Sequence, residues 1–461
     1  MARLRTFLIL LLLGAAAALV LSPASSRDPV TGRWTLGLFD PTDEEEVRQG
    51  ESCAASFVAE NDGAYPDADL QERLGKIVRR LGSRSHRPDL PYRFTLLNSS
   101  VPNAFALPGG QVFLTRGLLV RLEEEAQFAV VMGHEVGHVN HRHSVRAMND
   151  ALVVGLGTTL LRGAAKEERD REAAAGLATL GGGLLLLKFS REQELEADDR
   201  GIEYAFRCGY DPRRGVEVFR TFARARREAG AAGGPLASWI SSHPLDEERI
   251  ENLQAKLGRL HPSLGGTGPV PGTIVTTREW GEGLARLREA HRGYERLDRA
   301  RAAAARALEA RDPAGARAAL REVEEAGRAL PGHALFPAVE GAILLGLGDR
   351  DAARERLSRA AALAPGLFLA RERLATLELD AGRPAEAALH AGVAAKLAPA
   401  SAGTRLLLGR ALEAGGRSAE ARGAYEDAVR LAAAGSDAER LAARRLASLE
   451  ASPPAARKPR K

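Results

Sequence analysis

The sequence predicts an α+β protein: a mostly helical domain with a small β-sheet, followed by an all-α helical repeat array. Three observations predict it. At 461 residues the chain is longer than one ordinary domain. Aromatic residues are only 5% of it, and runs such as Arg301-Ala302-Ala303-Ala304-Ala305-Arg306-Ala307 favour helices packed through Ala and Leu over an aromatic-rich sandwich. One stretch, Pro91 to Leu114, replaces helical periodicity with short β-like runs. With 45% hydrophobic and 27% charged residues, the composition excludes global disorder, a collagen-like repeat and a polytopic membrane protein. The net charge of +5 invites a nucleic-acid reading, but Arg3 and Arg5 supply two of these charges and Arg457, Lys458, Arg460 and Lys461 four, so the rest of the chain nets −1. No nucleic-acid partner is expected.

Residues 1–26 have the layout of a secretory signal: Arg3 and Arg5, an apolar run from Phe7 to Leu21, then Ser22, Ala24, Ser25 and Ser26. The run is short for a membrane span. Cleavage near Ala24 and export to the periplasm are expected, with an uncleaved inner-membrane anchor as the alternative. Cys53 and Cys208 are the two cysteines, so the chain holds one disulfide or two buried thiols.

The first folded domain is expected over 40–262. Pro41 to Glu60 is acidic and then apolar at helical spacing, and Leu70, Leu74, Ile77, Val78 and Leu81 mark a second helix. Arg93 to Asn98, Asn103 to Leu107 and Gln111 to Leu114 read as strands of a small antiparallel sheet, with Pro108-Gly109-Gly110 as a turn. A helical pattern runs from Arg116 to about Met148. The Gly-rich apolar stretch from Ala151 to Leu187, interrupted by charged residues Lys166 to Glu172, reads as a buried segment or a hairpin over the active site. Residues 263–299 form a linker and connecting helix, marked by Gly265, Gly266, Gly268, Pro269, Pro271 and Gly272.

From about 300 to 450 the chain repeats. Pro331, Pro365 and Pro399 step by 34, as do Ala319, Ala353, Ala387 and Ala421, the set Gly341, Ala375 and Gly409, and the set Ala360, Ala394 and Ala428. Small residues let paired helices approach, and Pro fixes the turn to the next pair. The pattern resembles the tetratricopeptide repeat, with about four repeats, a capping helix from Asp437 to Leu449 and a basic tail over 451–461; a plain Ala-rich bundle is the competing reading.

Four of the ten histidines, His134, His138, His141 and His143, fall within ten positions. Gly133-His134-Glu135-Val136-Gly137-His138 contains H-E-x-x-H, which on a helix sets two imidazoles one turn apart on one face for a single zinc, with Glu135 placed to activate a water. A catalytic zinc needs a third protein ligand from another element. Downstream lies Ser190-Arg191-Glu192-Gln193-Glu194-Leu195-Glu196-Ala197-Asp198, an acid-rich helix.

Together these motifs resemble the zinc metallopeptidase family of the CAAX prenyl proteases, in its soluble periplasmic branch with tetratricopeptide repeats. The resemblance implies a zincin-type domain holding one Zn2+ on His134, His138 and Glu194, with Asp198 orienting a ligand histidine. Glu194 and Asp198 are an i,i+4 pair, while Glu192 and Glu196 project elsewhere and read as a solvated acidic face. Ser242-His243-Pro244-Leu245-Asp246-Glu247-Glu248-Arg249 resembles the family's H-P-x-x-x-x-R signature. It implies that His243 either bonds the oxyanion or is a fourth metal ligand in a resting state, and that Arg249 supports developing charge or holds the neighbouring acidic residues. His141 and His143 lie beyond the ligand turn and read as supporting or surface residues. The expected activity is zinc-dependent peptide hydrolysis with Glu135, His243 and Arg249 catalytic, and Asn103, Ala104, Phe105 and Ala106, resembling the family's edge strand, pairing with substrate backbone. Unfolded or misassembled proteins are the expected substrates, with envelope assembly machinery as a partner of the repeats. A repeat scaffold with a latent zinc site is the alternative. A membrane-embedded prenyl protease is excluded, since no apolar stretch after Leu21 is long enough to span.

Overall fold

A computed structural model describes residues 25–36, 40–147, 149, 189–229, 243, 247–266, 268, 270–433 and 435–451. Of the signal assigned to residues 1–26, only Ser25 and Ser26 are among them, in a short strand; the rest of that signal, the apolar stretch from Ala151 to Leu187 and the tail beyond Ala451 lie outside them. Among the described residues no helix is long and apolar enough to cross a membrane. The chain divides into two compact units: one holds the described residues up to Ala54 and from Tyr65 to Arg288, the other Ala55–Ala64 and those from Glu289 onward.

In the first unit β1 (Ser25–Arg27) and β2 (Trp34–Leu36) form an antiparallel hairpin. Helix α1 (Asp43–Glu60), whose residues from Ala55 belong to the second unit, follows, its first turn carrying Asp43, Glu44, Glu45 and Glu46, where negative charge suits the helix dipole. In α2 (Ala68–Ser83) the Asp67 carboxylate accepts from the Leu70 amide, and Leu70, Leu74, Val78 and Leu81 bury one face, as their spacing predicts.

Strands β3 (Arg93–Leu97), β4 (Ala104–Leu107) and β5 (Gln111–Thr115) form one sheet in the order β3-β5-β4. This corrects the all-antiparallel expectation: β4 and β5 are antiparallel across the Pro-Gly-Gly turn, but β3 pairs with β5 in parallel. The chain leaving β3 passes first to the far edge, so the strand that returns beside β3 runs in its direction. Gly109 is obligatory in the turn, since its φ is +72° and a Cβ there would lie 2.4 Å from the Val47 Cα. Short helix α3 (Arg116–Leu119) leads to α4 (Glu125–Asn140), every residue of which is buried. Helices α5 (Arg191–Arg207), α6 (Arg213–Ala229) and α7 (Glu247–Leu260) complete the unit. Cys53 and Cys208 are both buried free thiols.

The second unit is all-α. After α8 (Arg278–Glu309), whose residues from Glu289 belong here, come α9 (Pro313–Arg328), α10 (Leu335–Gly346), α11 (Arg350–Leu363), α12 (Phe368–Asp380), α13 (Pro384–Leu397), α14 (Ala402–Ala414), α15 (Ser418–Leu431) and α16 (Asp437–Ala451). It is a solenoid of helical hairpins with the step that the sequence predicts. Helices α11, α13 and α15 begin at Arg350, Pro384 and Ser418, the 34-residue step of the sequence. The same step recurs in Gly348, Gly382 and Gly416, whose φ values of +83°, +70° and +72° let each hairpin turn. Within hairpins, a Cβ on Gly341 would lie 2.5 Å from the Leu357 side chain and one on Gly409 2.5 Å from that of Tyr425. At the intervening module the pair of positions is Ala375 and Ala391. Large therefore faces Gly, and small faces Ala.

Gly409→Ala is expected to lower the unfolding free energy by about 1–3 kcal/mol through overpacking against Tyr425. Gly423→Ala, with nothing within 4 Å of the new Cβ, is expected to raise it by roughly 0.5–1 kcal/mol. Urea unfolding of both variants checks this; shifts of the same sign would disprove the contact.

A buried cluster of donors between two helices

The site rests on α4 and α5, which touch backbone to backbone. A Cβ on Gly133 would lie 2.7 Å from the Gly201 carbonyl oxygen, one on Gly137 2.9 Å from that of Ala197, and one on Gly201 2.9 Å from the His134 nitrogen. Both glycines of the H-E-x-x-H helix are thus explained by close packing. A hydrogen-bonded capping box of Ser190 and Gln193 starts α5, so its i,i+4 carboxylates Glu194 and Asp198 meet the i,i+4 imidazoles His134 and His138.

Donor atoms of four side chains converge. The Nε2 atoms of His134 and His138 lie 3.0 Å apart, and Glu194 places its Oε2 3.5 Å from the first and its Oε1 3.5 Å from the second. His243, in a segment before α7, brings Nδ1 to 3.3 Å from His134 Nε2 and 3.0 Å from Glu194 Oε1. All four residues are about 1% exposed. Four donors each ~2.0–2.1 Å from a tetrahedral zinc would stand roughly 3.3 Å from one another, which these separations match. Two imidazoles and a carboxylate also suit zinc chemically. Glu135 is fully buried beside them, and neither of its carboxylate oxygens has a hydrogen-bond partner among the described residues, a costly arrangement unless a bound group completes it. The residues fit the metal.

The surroundings fix the cluster. Asp198 Oδ1 lies 2.8 Å from His134 Nδ1, and Arg249 grips Asp198 through Nε at 2.7 Å and Nη2 at 2.8 Å while its Nη1 lies 2.7 Å from Glu194 Oε2. Burial alone would raise the Asp198 carboxyl, but the Arg249 charge and the bonds from His134 and Arg249 hold it well below the usual range. Burial, only partly offset by the charges of His243 and His134, pushes Glu135 up, whereas His138 is driven far down by burial and by the neighbouring His134 and His143. Burial opposes the charged form of His243, yet the carboxylates of Glu194 and Glu135 outweigh it and push it up to about 9.

The structure thus brings together His134, Glu135, His138, Glu194, Asp198, His243 and Arg249. Asn103 to Ala106 do not join this cluster; Ala104 to Ala106 lie on β4, the edge strand of the sheet, which packs against α4. Glu192 is exposed, as expected, and pairs with Arg33. Glu196 corrects the expectation of a solvated face: its side chain is 15% exposed and accepts from His143 Nε2 at 3.1 Å. Burial would raise Glu196, but the His143 bond and the nearby His141 and Arg146 bring it down to about 2. His141 and His143 are buried, and Asp28, just after β1, lies 3.0 Å from His141 Nδ1 and also contacts Arg146. Asp28 and Arg146 carried no local motif that would have found them.

Residues 68–257 match peptidase family M48. Over 364 residues the chain is 29% identical to the beta-barrel assembly-enhancing protease of Escherichia coli (strain K12), covering 72% of this chain and 70% of that protein. It is 27% identical over 195 residues to the mitochondrial metalloendopeptidase OMA1 of Arabidopsis thaliana, covering 42% of this chain and 38% of that one. Among solved structures, MamA 41-end from Desulfovibrio magneticus RS-1 is 22% identical over 34% of this chain and 93% of that chain, with a TM-score of 0.27, too low to bear on the fold.

Removing metal with a chelator is expected to lower the melting temperature, and zinc at about 1,000 times its dissociation constant to restore about 4 kcal/mol. In His138→Ala the zinc-dependent shift should vanish; an equal shift in that variant would place the metal elsewhere.

Proposed function

From the premise that residues 68–257 form a zinc metallopeptidase domain of family M48, we propose that the chain is an exported endopeptidase that cleaves unfolded or misassembled proteins during outer-membrane protein assembly. The observation that carries the reading is the set of four donor atoms from His134, His138, Glu194 and His243 with buried Glu135 beside it. The setting is drawn from the relative named as a beta-barrel assembly-enhancing protease.

His134, His138 and Glu194 would hold the metal, with Asp198 and Arg249 fixing the ligand geometry. A zinc ion there supplies a Lewis acid that polarises the scissile carbonyl and acidifies the attacking water. Glu135 takes the proton of that water and returns it to the leaving amine; burial makes its carboxylate a stronger base than one in water. Arg249 acts by clamping Asp198 and Glu194, since its Nε and Nη2 bond Asp198 and its Nη1 lies against Glu194. His243, whose Nδ1 joins the donor cluster, would fill the open position of a bound metal in a self-inhibited resting state; on withdrawing, its imidazole, whose Nε2 lies 3.8 Å from Glu135 Oε1, would be in reach of the oxyanion.

Substrate would add to β4 at the edge of the sheet, through the backbone of Asn103, Ala104, Phe105 and Ala106. Part of that edge is engaged already, since Ser144 Oγ donates to the Ala106 carbonyl at 3.4 Å. In the second unit a groove of 720 Å3 lined by Ala304, Leu308, Ile343, Phe368 and Leu377 supports a role for the repeats in holding client or assembly proteins. The alternative, a chaperone-like scaffold with a latent metal site, is favoured by the position of His243.

Bound zinc and cleavage of casein or an unfolded β-barrel protein, measured for the wild type, Glu135→Gln and His243→Ala, separate the two. The protease reading expects stoichiometric zinc in all three, loss of at least about 100-fold in rate for Glu135→Gln, and faster cleavage by His243→Ala. Stoichiometric zinc with no cleavage by the wild type or His243→Ala favours the scaffold.

A further inference from the structure

His138 has two ring nitrogens, and the proposed metal reading uses only one. Its Nε2 faces the donor cluster, and its Nδ1 faces His143 Nδ1 at 2.8 Å. His143 is fully buried, and its own Nε2 meets Glu196 Oε2 at 3.1 Å. Glu196 is held in turn by Arg146 at 3.4 Å, and Arg146 also contacts the buried Asp28 carboxylate. For His134 the arrangement is one step shorter, its Nδ1 lying directly against Asp198.

Protons can be assigned along this line in one consistent way. If Nε2 of His138 offers a lone pair to a metal, its proton sits on Nδ1, which donates to His143 Nδ1. That atom must then be an acceptor, so His143 carries its proton on Nε2 and donates to Glu196. We propose that His143 and Glu196 are positioning residues that lock the tautomer and ring orientation of His138 through this two-step relay, as a carboxylate does for a metal-bound histidine. The inference rests on the reading of His134, His138 and Glu194 as the metal site.

The same side chains also have the composition of a metal site, since donor atoms of His141, His143 and Glu196 lie within 4.8 Å of one another. Two facts favour the relay. The Arg146 guanidinium already occupies the position of a cation between Glu196 and Asp28. A metal on His143 Nε2 would also force the His143 proton onto Nδ1, against the Nδ1 proton of a metal-bound His138.

The test is zinc affinity by chelator competition on the full chain, with the d–d spectrum of the cobalt-substituted protein as a second readout. His143→Phe fills the space without an acceptor and is expected to weaken zinc binding about 10- to 100-fold and alter the cobalt spectrum. His143→Asn, whose side-chain carbonyl can accept from His138, should recover most of the affinity. Glu196→Ala should weaken binding less than His143→Phe, and combining the two should add nothing to His143→Phe alone, because the second step acts only through the first. Should His143→Phe fail to fold, Glu196→Ala against Glu196→Gln, which keeps an acceptor, decides with the same readout. Equal affinities for the Phe and Asn variants, additive losses, equal affinities for Glu196→Ala and Glu196→Gln, or a second equivalent of zinc lost on mutating His143 would overturn the relay. A wild type that binds no zinc would overturn both the relay and the metal reading beneath it.

Discussion

The approach of α4 to α5 sets everything else in the first unit. Two i,i+4 pairs on separate helices converge only if the helix axes come closer than ordinary side chains permit, and Gly133, Gly137 and Gly201 remove the atoms that would hold them apart. Each glycine inside a helix costs about 1 kcal/mol relative to Ala. That cost is offset by what the contact makes possible: His134 against Asp198 at 2.8 Å, and Glu194 within 3.5 Å of both histidines. A wider spacing would leave buried imidazoles and carboxylates without partners, which is far more expensive than three glycines.

Burial on this scale needs balanced charge. Glu135, Glu194 and Asp198 lie in the same low-dielectric pocket, and Arg249 is the buried guanidinium that faces two of them. Breaking such a pair strands a charge at a cost of about 3–5 kcal/mol. A second balance operates one layer out, where Arg146 sits between Asp28 and Glu196. The hairpin that carries Asp28 is therefore tied to the end of the H-E-x-x-H helix by chemistry rather than by chain continuity.

Features set by spacing along one helix were legible in the sequence; those set by contacts between distant segments were not. H-E-x-x-H and the Glu194/Asp198 pair could be read because 3.6 residues per turn fixes which side chains share a face. The 34-residue step could be read because each hairpin repeats its own packing. The sheet was read with its strands in the right places and one pairing in the wrong direction, since nothing in residues 93–97 says whether β4 or β5 will lie beside them. Glu196 was misread for a related reason. Its angular position on α5 points away from Glu194, and what waits there, His143 and Arg146 beyond the end of α4 and Asp28 from the hairpin, is more than 40 residues away in the chain. Arg249 left two roles open until its three nitrogens were seen on carboxylates.

The matched walls inside the repeat hairpins define what can be exchanged between modules. Gly341 with Leu357 and Gly409 with Tyr425 are each complete within one hairpin, whereas Ala375 belongs with Ala391. A crossover at the prolines between hairpins transfers matched walls together and leaves the interior intact. One at Gly348, Gly382 or Gly416 joins half of one module to half of another, setting Ala against a bulky wall or leaving a void beside Gly. The heritable unit of this array is thus the hairpin from α10, α12 or α14 to its successor, and insertions or deletions of whole hairpins are the length changes that its core can absorb.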